Sequence, residues 1–117
     1  MNTDITRIGT GPRMSEAVAY NGILWVAGQL GEPTGSVADQ TRQALAAIDE
    51  ILAKAGTDKT RVLSAQIWLA DISTFDQMNS VWDTWVVQGH TPARATGEAK
   101  LATPDYKVEI IVTVALK

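Results

Sequence analysis

The sequence contains no cysteine and only one histidine, His90. Disulfides, thiol catalysis and the usual Cys/His zinc sites are therefore excluded. Every catalytic scheme that uses a histidine as acid or base would depend on His90, which stands between Gly89 and Thr91 in a predicted loop, and we interpret it as a bystander. The residues present indicate neither a metal site nor a cofactor.

Positive charge and long apolar runs are also scarce. Ten basic and thirteen acidic residues give a formal net charge of -3, which supplies no positive field for a phosphate backbone, so nucleic acid is not an expected partner. No apolar stretch approaches the roughly 20 residues of a membrane span. The first residues, Met1 to Asp4, lack a basic region followed by an apolar run. We therefore expect a cytoplasmic protein that does not contact a membrane.

Length and composition fit one domain, spanning residues 1–117. Its apolar patterns predict seven elements in the order strand, strand, helix, strand, helix, strand, strand. The two helices begin after the N-caps Ser36 and Ser73 and end near Gly56 and Gly89. In each helix, apolar residues at spacings of three and four form one packing stripe, which in the second helix includes Phe75 and Trp82. In the third strand, alternation predicts one apolar face that begins at Leu63. The predicted strands cover residues 15–20, 23–27, 62–70, 93–101 and 108–116, with the first two joined at Asn21-Gly22 as a hairpin. This order implies an α+β fold, in which a mixed sheet carries both helices on one face.

The opposite face of the predicted sheet needs a cover. Along the last strand one set of alternating residues is fully apolar, and the other set is still too apolar for a surface in full contact with water. The members of this second set are Lys107, Glu109, Ile111, Thr113 and Ala115. We expect the protein to form an oligomer through this open sheet face.

Few residues remain that could carry chemistry. Gly9-Thr10-Gly11 resembles part of a phosphate-binding loop, but Pro12 follows and no helix opens there, so this reading is discarded. Arg94 and Glu109, both on predicted strands, remain. An arginine presents a planar fork of donors that grips a carboxylate through two hydrogen bonds. The alternative for Arg94 is a surface salt bridge with Glu98, Asp105 or Glu109, and the local pattern alone favours that alternative.

Several segments of the sequence, taken together, indicate membership of a protein family. They are Val26-Ala27-Gly28-Gln29, then Asp71 and Phe75 with Met78-Asn79, then Pro92-Ala93-Arg94, and Lys107-Val108-Glu109-Ile110. In these segments, and in the spacing that places Arg94 and Glu109 fifteen residues apart, the chain resembles the RidA (YjgF) family of reactive enamine/imine deaminases over nearly its whole length. The joint spacing is far more specific than any one segment.

The resemblance implies a fold like that of the Bacillus-type chorismate mutase. It also implies a homotrimer with ligand sites in the clefts between subunits. The implied reaction is hydrolysis of an unstable enamine or imine such as 2-aminoacrylate to a 2-keto acid and ammonia, without nucleophile, metal or cofactor.

The resemblance also implies roles for individual residues. Arg94 would hold the substrate carboxylate, and Glu109 would orient or polarise the water or the substrate nitrogen. Backbone groups of Ala27 and Gly28 would contact the ligand, and Asn79 would line the cleft.

Two positions depart from the family and indicate a divergent subgroup. Gly11-Pro12-Arg13 replaces the common Gly-Pro-Tyr, so Arg13 brings a second positive group in place of a pocket tyrosine, and Ala27 replaces a serine. The alternative, from another functional class, is a non-catalytic trimer that uses the same cleft. Such a trimer would bind carboxylates such as keto acids, or act as a regulatory protein.

The spacing of the two candidate residues raises a geometric question. If the last two strands formed a hairpin, Glu109 would face a position near residue 99, about five residues or roughly 16 Å from Arg94 along the strand. One small ligand does not bridge that distance. We therefore expect a site made by two chains, or by strands that are not neighbours in the sheet.

Overall fold

The computed structural model describes residues 4–117, so Met1, Asn2 and Thr3, on which the N-terminal prediction partly rests, lie outside the described residues. The elements are β1 (Thr6–Ile8), β2 (Ala17–Tyr20), β3 (Ile23–Val26), α1 (Val37–Lys54), β4 (Val62–Leu69), α2 (Phe75–Trp85), β5 (Ala93–Glu98) and β6 (Val108–Ala115). The predicted order is confirmed, with β1 as an additional strand that sequence patterns missed because it has only three residues. Neither helix in the described part of the chain is long and apolar enough to cross a membrane.

One mixed sheet organises the fold, in the order β1-β2-β3-β6-β4-β5. Only β4 and β5 run parallel, because α2 connects them and returns the chain to the end of the sheet at which β4 begins. All other neighbouring strands are antiparallel. The core lies between the two helices and one face of the sheet, with Leu24, Ile48, Leu69, Met78 and Ile110 each fully buried. The predicted α+β class, with both helices on one face, is confirmed.

The hairpin between β2 and β3 forms at the predicted turn. Asn21 and Gly22 have φ values of 56° and 83°, and positive φ at both central residues is what a two-residue hairpin turn of this hand requires. Asparagine and glycine are the residues that adopt it at least cost. The turn sets the register that pairs Trp25 with Val18, and with it the face on which each β3 side chain lies.

The ends of α1 agree with the sequence prediction, and the start of α2 does not. Ser36 Oγ accepts a hydrogen bond from the Asp39 backbone N–H at 3.1 Å, and Gly56, with φ of 77°, follows the last turn. Ser73, by contrast, is not the N-cap of α2. It belongs to a short 3-10 turn, where its N–H donates to Asp71 Oδ1 at 2.9 Å, and α2 begins after Thr74. The Ser73 hydroxyl donates to the same carboxylate oxygen at 2.7 Å, so its side chain closes that turn rather than capping α2.

Two residues predicted to be buried are exposed. Leu63 was assigned to the inner face of β4, but a register shift between Val62 and Ser64 turns it outward and leaves it 48% exposed. From Ala65 onward the predicted alternation holds. Phe75, at the first position of α2, is 37% exposed, because the helix begins at the rim of the core.

A buried glutamine joins two loops to α1, and sequence patterns did not find it. The Gln40 side chain is fully buried and donates to the carbonyl oxygens of Gly35 at 3.0 Å and Asp105 at 3.1 Å. Its Oε1 accepts from the Lys107 N–H at 2.9 Å. The loop before α1 and the loop before β6 are thereby held together, which fixes where β6 starts.

Replacing Gln40 by leucine should lower the free energy of unfolding by about 3 kcal/mol, because several buried backbone groups lose their partner at once. Urea denaturation monitored by circular dichroism would measure the change. Gln77→Leu, at an exposed position of α2, is the control and should change stability by less than about 0.5 kcal/mol. Equal stability of the two variants would show that the network does not hold the loops.

The face of the sheet opposite the helices has no cover within residues 4–117. Trp25 lies on this face, opposite Thr113 of β6, and is 47% exposed. Ile111 and Glu109 follow along the same side of β6, each partly exposed. An exposed tryptophan in the middle of an apolar sheet face is typical of a surface that meets another protein chain.

Candidate functional site

Arg94 lies on the edge strand β5 and faces the helices. It is the partner of Ala65 on β4, whose side chain is only 2% exposed, and paired residues in a sheet point to the same side. The guanidinium therefore extends toward α2 rather than toward the open face. The predicted placement of Arg94 on a strand is confirmed.

The side chains of α2 hold the guanidinium in place. Arg94 Nη1 donates to Asn79 Oδ1 at 2.8 Å, and the guanidinium carbon lies 5.6 Å from the ring centroid of Phe75 and 5.3 Å from that of Trp82. Contacts of this kind between a cation and aromatic rings stabilise the charge and restrict its orientation. The sequence placed Phe75 and Trp82 on one packing stripe of α2, and the same stripe meets Arg94.

Among residues 4–117, no carboxylate lies within ion-pair distance of Arg94. The described residues form three ion pairs, Arg42 with Asp39, Lys54 with Glu16, and Lys117 with Asp58. Glu98, one of the partners considered from the sequence, instead accepts a hydrogen bond from the Ile72 N–H at 3.0 Å. The surface salt bridge that local pattern favoured is therefore not formed within residues 4–117.

Partial burial leaves Arg94 suited to an anion. Desolvation lowers the pKa of its guanidinium and the nearby charge of Asp83 opposes that shift, and an arginine stays protonated at neutral pH. A partly buried cation with unused N–H donors binds a carboxylate with more favourable free energy than a fully exposed cation does. We call Arg94, Asn79, Phe75 and Trp82 the arginine half-site.

Glu109 lies at a different place, beside Gly28. A β-carbon added to Gly28 would overlap the Glu109 carboxylate, so the glycine lets the two approach. The neighbouring residues fix this contact, since Gln29 and Ile110 exchange backbone hydrogen bonds of 2.8 and 3.0 Å. The structure thus brings together Gly28 and Glu109, next to Ala27. We call these three residues the glutamate half-site.

The two half-sites lie on opposite faces of one sheet. Strand β4 separates β5 from β6, and along it Arg94 is level with Ala65 whereas Glu109 is level with Trp68. Residues 65 and 68 have opposite parity, so their side chains point to opposite sides. The predicted non-adjacent strands are confirmed, but one chain does not place Arg94 and Glu109 around one ligand.

Arg13 belongs to neither half-site within one chain. It lies in the exposed loop between β1 and β2, in a turn closed by a hydrogen bond of 2.8 Å from the Gly11 N–H to the Met14 carbonyl oxygen. The Ala27 N–H donates to the Glu16 carbonyl oxygen at 2.8 Å, which fastens the end of this loop beside the glutamate half-site. Within residues 4–117 the Arg13 side chain makes no hydrogen bond or ion pair with Glu109 or Arg94.

Surface cavities of the single chain lie elsewhere. The most voluminous of four, about 550 Å³, is lined by residues that include Tyr20, Lys54 and Leu116, and none of the four is lined by Arg94 or Glu109. The two half-sites are therefore open surfaces rather than walls of these cavities. A second surface would be needed to enclose a ligand at either one.

A family model described as endoribonuclease L-PSP matches residues 5–116. The chain belongs to this family. A RutC family protein of Haemophilus ducreyi is 47% identical over 115 residues, which are 96% of this chain and 97% of that protein. A solved structure from Neisseria meningitidis, described as a member of the YjgF protein family, is 47% identical and superposes with a TM-score of 0.96 over 98% of this chain and 97% of its own. The resemblance to the RidA (YjgF) family is thereby confirmed.

One further YjgF-family relative carries a chemical name. A protein of Rattus norvegicus named 2-iminobutanoate/2-iminopropanoate deaminase is 36% identical over 103 residues, covering 82% of this chain and 74% of that protein. Its name states a substrate with an imine next to a carboxylate.

Proposed function

We propose that this YjgF-family protein hydrolyses reactive enamines and imines that carry a carboxylate, such as 2-aminoacrylate, to 2-keto acids and ammonia. The observation that carries the proposal is Arg94, a half-buried guanidinium oriented by Asn79 and without a carboxylate partner within residues 4–117. The cytoplasmic location expected from the sequence stays a prediction.

In the proposed reaction, the substrate carboxylate binds Arg94 through the N–H groups that Asn79 leaves unused. An enamine such as 2-aminoacrylate first becomes the imine, as its methylene carbon gains a proton and its nitrogen loses one. Water then adds to the imine carbon and the nitrogen takes up a proton, giving a tetrahedral carbinolamine. The C–N bond breaks, the hydroxyl proton moves to the nitrogen, and ammonia leaves. Such imines already react with water, so orientation of the two reactants and support of the tetrahedral state account for the acceleration. Glu109 either orients the water or polarises the substrate nitrogen.

We further propose that the site is completed between subunits of a homotrimer with a chorismate mutase-like arrangement. Arg94 and Glu109 face opposite sides of one sheet, so a ligand that touches both must lie between two chains. The uncovered sheet face with Trp25 supports such an assembly. Arg13, on the loop fastened beside Ala27, would then add a second positive charge near the cleft.

A second function is favoured by one observation. The arginine half-site is formed by Arg94 and side chains of α2 without any contribution from Glu109. A non-catalytic trimer that binds keto acids, or that regulates by binding them, would therefore use the same cleft. The ribonuclease in the family's description is not proposed for this chain, because its net charge is -3 and His90 is its only histidine.

A coupled assay separates the two functions. A serine or threonine dehydratase generates 2-aminoacrylate in the presence of the purified protein, and keto-acid formation is recorded over time. For the deaminase we expect keto-acid formation to be faster with the wild type than without protein, and no faster with Glu109→Gln than without protein. Binding of a stable keto acid with no acceleration across several amino-acid-derived imines would support the binding protein instead.

The contact between Gly28 and Glu109 gives a further prediction. Gly28→Ala should lower kcat/KM for imine hydrolysis by about 10-fold to 100-fold, because the added carbon displaces the Glu109 carboxylate and small misplacements of a reacting group are costly. The melting temperature should change by only a few degrees, since the group that moves is the end of a flexible side chain. Gly11→Ala is the control, as its added carbon lies 3.5 Å from the Met14 carbonyl oxygen, an ordinary contact. Unchanged activity of Gly28→Ala would remove Glu109 from the mechanism.

A further inference from the structure

Thr96 carries a buried hydroxyl that nothing in the chain satisfies. Within residues 4–117 its Oγ is the one buried side-chain oxygen or nitrogen without a hydrogen-bond partner. Buried polar groups are nearly always paired, and an unpaired one costs about 1 to 3 kcal/mol. An isosteric valine would avoid that cost and would suit a strand. The hydroxyl therefore calls for an explanation in terms of something it binds.

The position of Thr96 beside Arg94 supplies an explanation for the unpaired hydroxyl. It follows Arg94 by two residues on β5 and is the partner of Ile67, which is 1% exposed, so both side chains point toward the helices. Two residues along a strand are about 7 Å apart, a distance that a small molecule bearing a carboxylate spans. A guanidinium only donates hydrogen bonds, whereas a hydroxyl donates one and accepts others.

We propose that Thr96 is a positioning residue of the arginine half-site, whose hydroxyl donates to the bound carboxylate while Arg94 grips it. This inference rests on the proposed carboxylate-binding function of that half-site. The hydroxyl is closed to solvent in the ligand-free chain. In the proposed binding step, Arg94 turns part of its guanidinium from Asn79 toward the ligand, and the ligand reaches the hydroxyl beside it. One substrate oxygen then satisfies the group that the protein leaves unpaired.

The test compares Thr96→Val, which removes only the hydroxyl, with Thr96→Ser, which keeps it. For each variant, pyruvate and 2-oxobutanoate are titrated by calorimetry, and kcat and KM are measured in the coupled imine assay. Thr96→Val should weaken keto-acid binding and raise KM about tenfold with kcat changed less than threefold. Its melting temperature should be equal to or above that of the wild type. Thr96→Ser should bind within threefold of the wild type.

Thr41→Val provides the matched control. The Thr41 hydroxyl is also buried, but it donates to the Val37 carbonyl oxygen at 2.7 Å inside α1. This variant should lose thermal stability and keep its affinity for both keto acids. A purely structural role for Thr96 would give the same pattern, with a lower melting temperature and unchanged binding.

Two results would overturn the inference. One is keto-acid binding by Thr96→Val equal to that of the wild type, and the other is a loss of stability in Thr96→Val as large as in Thr41→Val. The deaminase proposal fails separately, if the wild type binds keto acids but does not accelerate imine hydrolysis; the calorimetric comparison then still decides the role of Thr96. Absence of keto-acid binding by the wild type would overturn both.

Discussion

Replacing Arg94 by alanine is expected to lower kcat/KM for imine hydrolysis by about 1,000-fold, which corresponds to ~4 kcal/mol of transition-state stabilisation. The substrate carboxylate would enter a partly dry cleft without its cation, and Asn79 would lose the group that it orients. Arg94→Lys keeps the charge but loses the planar fork and its contacts with the aromatic rings. We expect it to recover no more than about a tenth of the wild-type value.

The measurement is the initial rate of keto-acid formation in the coupled assay over a range of imine concentrations. Arg42→Ala is the control, because Arg42 is an exposed helix residue paired with Asp39 and far from β5 in the fold. It should retain the wild-type rate. Each variant is first checked by circular dichroism and thermal melting, since Arg94 also packs against Phe75 and Trp82. A folded Arg94→Ala protein with wild-type kinetics would refute the proposed clamp.

The sequence located Arg94 on a strand but could not decide what it contacts. Glu98, Asp105 and Glu109 were all possible partners by proximity in sequence, and the structure pairs Arg94 with none of them. The partner it does have, Asn79, stands fifteen residues earlier on α2. Only the return of the chain through α2, which sets β5 parallel to β4, brings these two together.

Local patterns predicted the elements well where one force dominates. The stripe of α1 and the alternation of β6 are both confirmed, because burial of one face outweighs other preferences there. They failed where two interactions compete. The Ser73 hydroxyl donates to Asp71 Oδ1 at 2.7 Å inside a 3-10 turn instead of capping α2, and a register shift at the start of β4 turned Leu63 outward.

The relation between the half-sites was the least predictable feature. The spacing of Arg94 and Glu109 argued against a hairpin of the last two strands, and β4 does lie between them. It did not predict the face of the sheet on which each residue lies. Which face a residue occupies follows from register, so Arg94 and Glu109 fall on opposite sides although both belong to one sheet. A ligand that needs both therefore makes oligomerisation a requirement for activity rather than an addition to it.

Trp25→Glu tests that requirement. Trp25 lies amid the uncovered face, between Val18 and Thr113, and is 47% exposed in the single chain. A carboxylate buried in an interface between copies costs several kcal/mol, so we expect subunit association to weaken by ~100-fold or more. Light scattering at micromolar concentration should show a fall from the trimer mass to the monomer mass. Imine hydrolysis should fall with the fraction of trimer.

The monomer should remain folded, because the substituted side chain is half-exposed and outside the core between sheet and helices. Ile72→Glu is the matched control. Ile72 is a similarly exposed apolar residue, at 44%, in the turn before α2 and away from the open face, so its variant should keep the trimer mass and the wild-type rate. A Trp25→Glu protein that remains trimeric would place the interface elsewhere. A monomeric variant with full activity would show that one chain suffices, and would refute the assignment of Arg94 and Glu109 to one cleft.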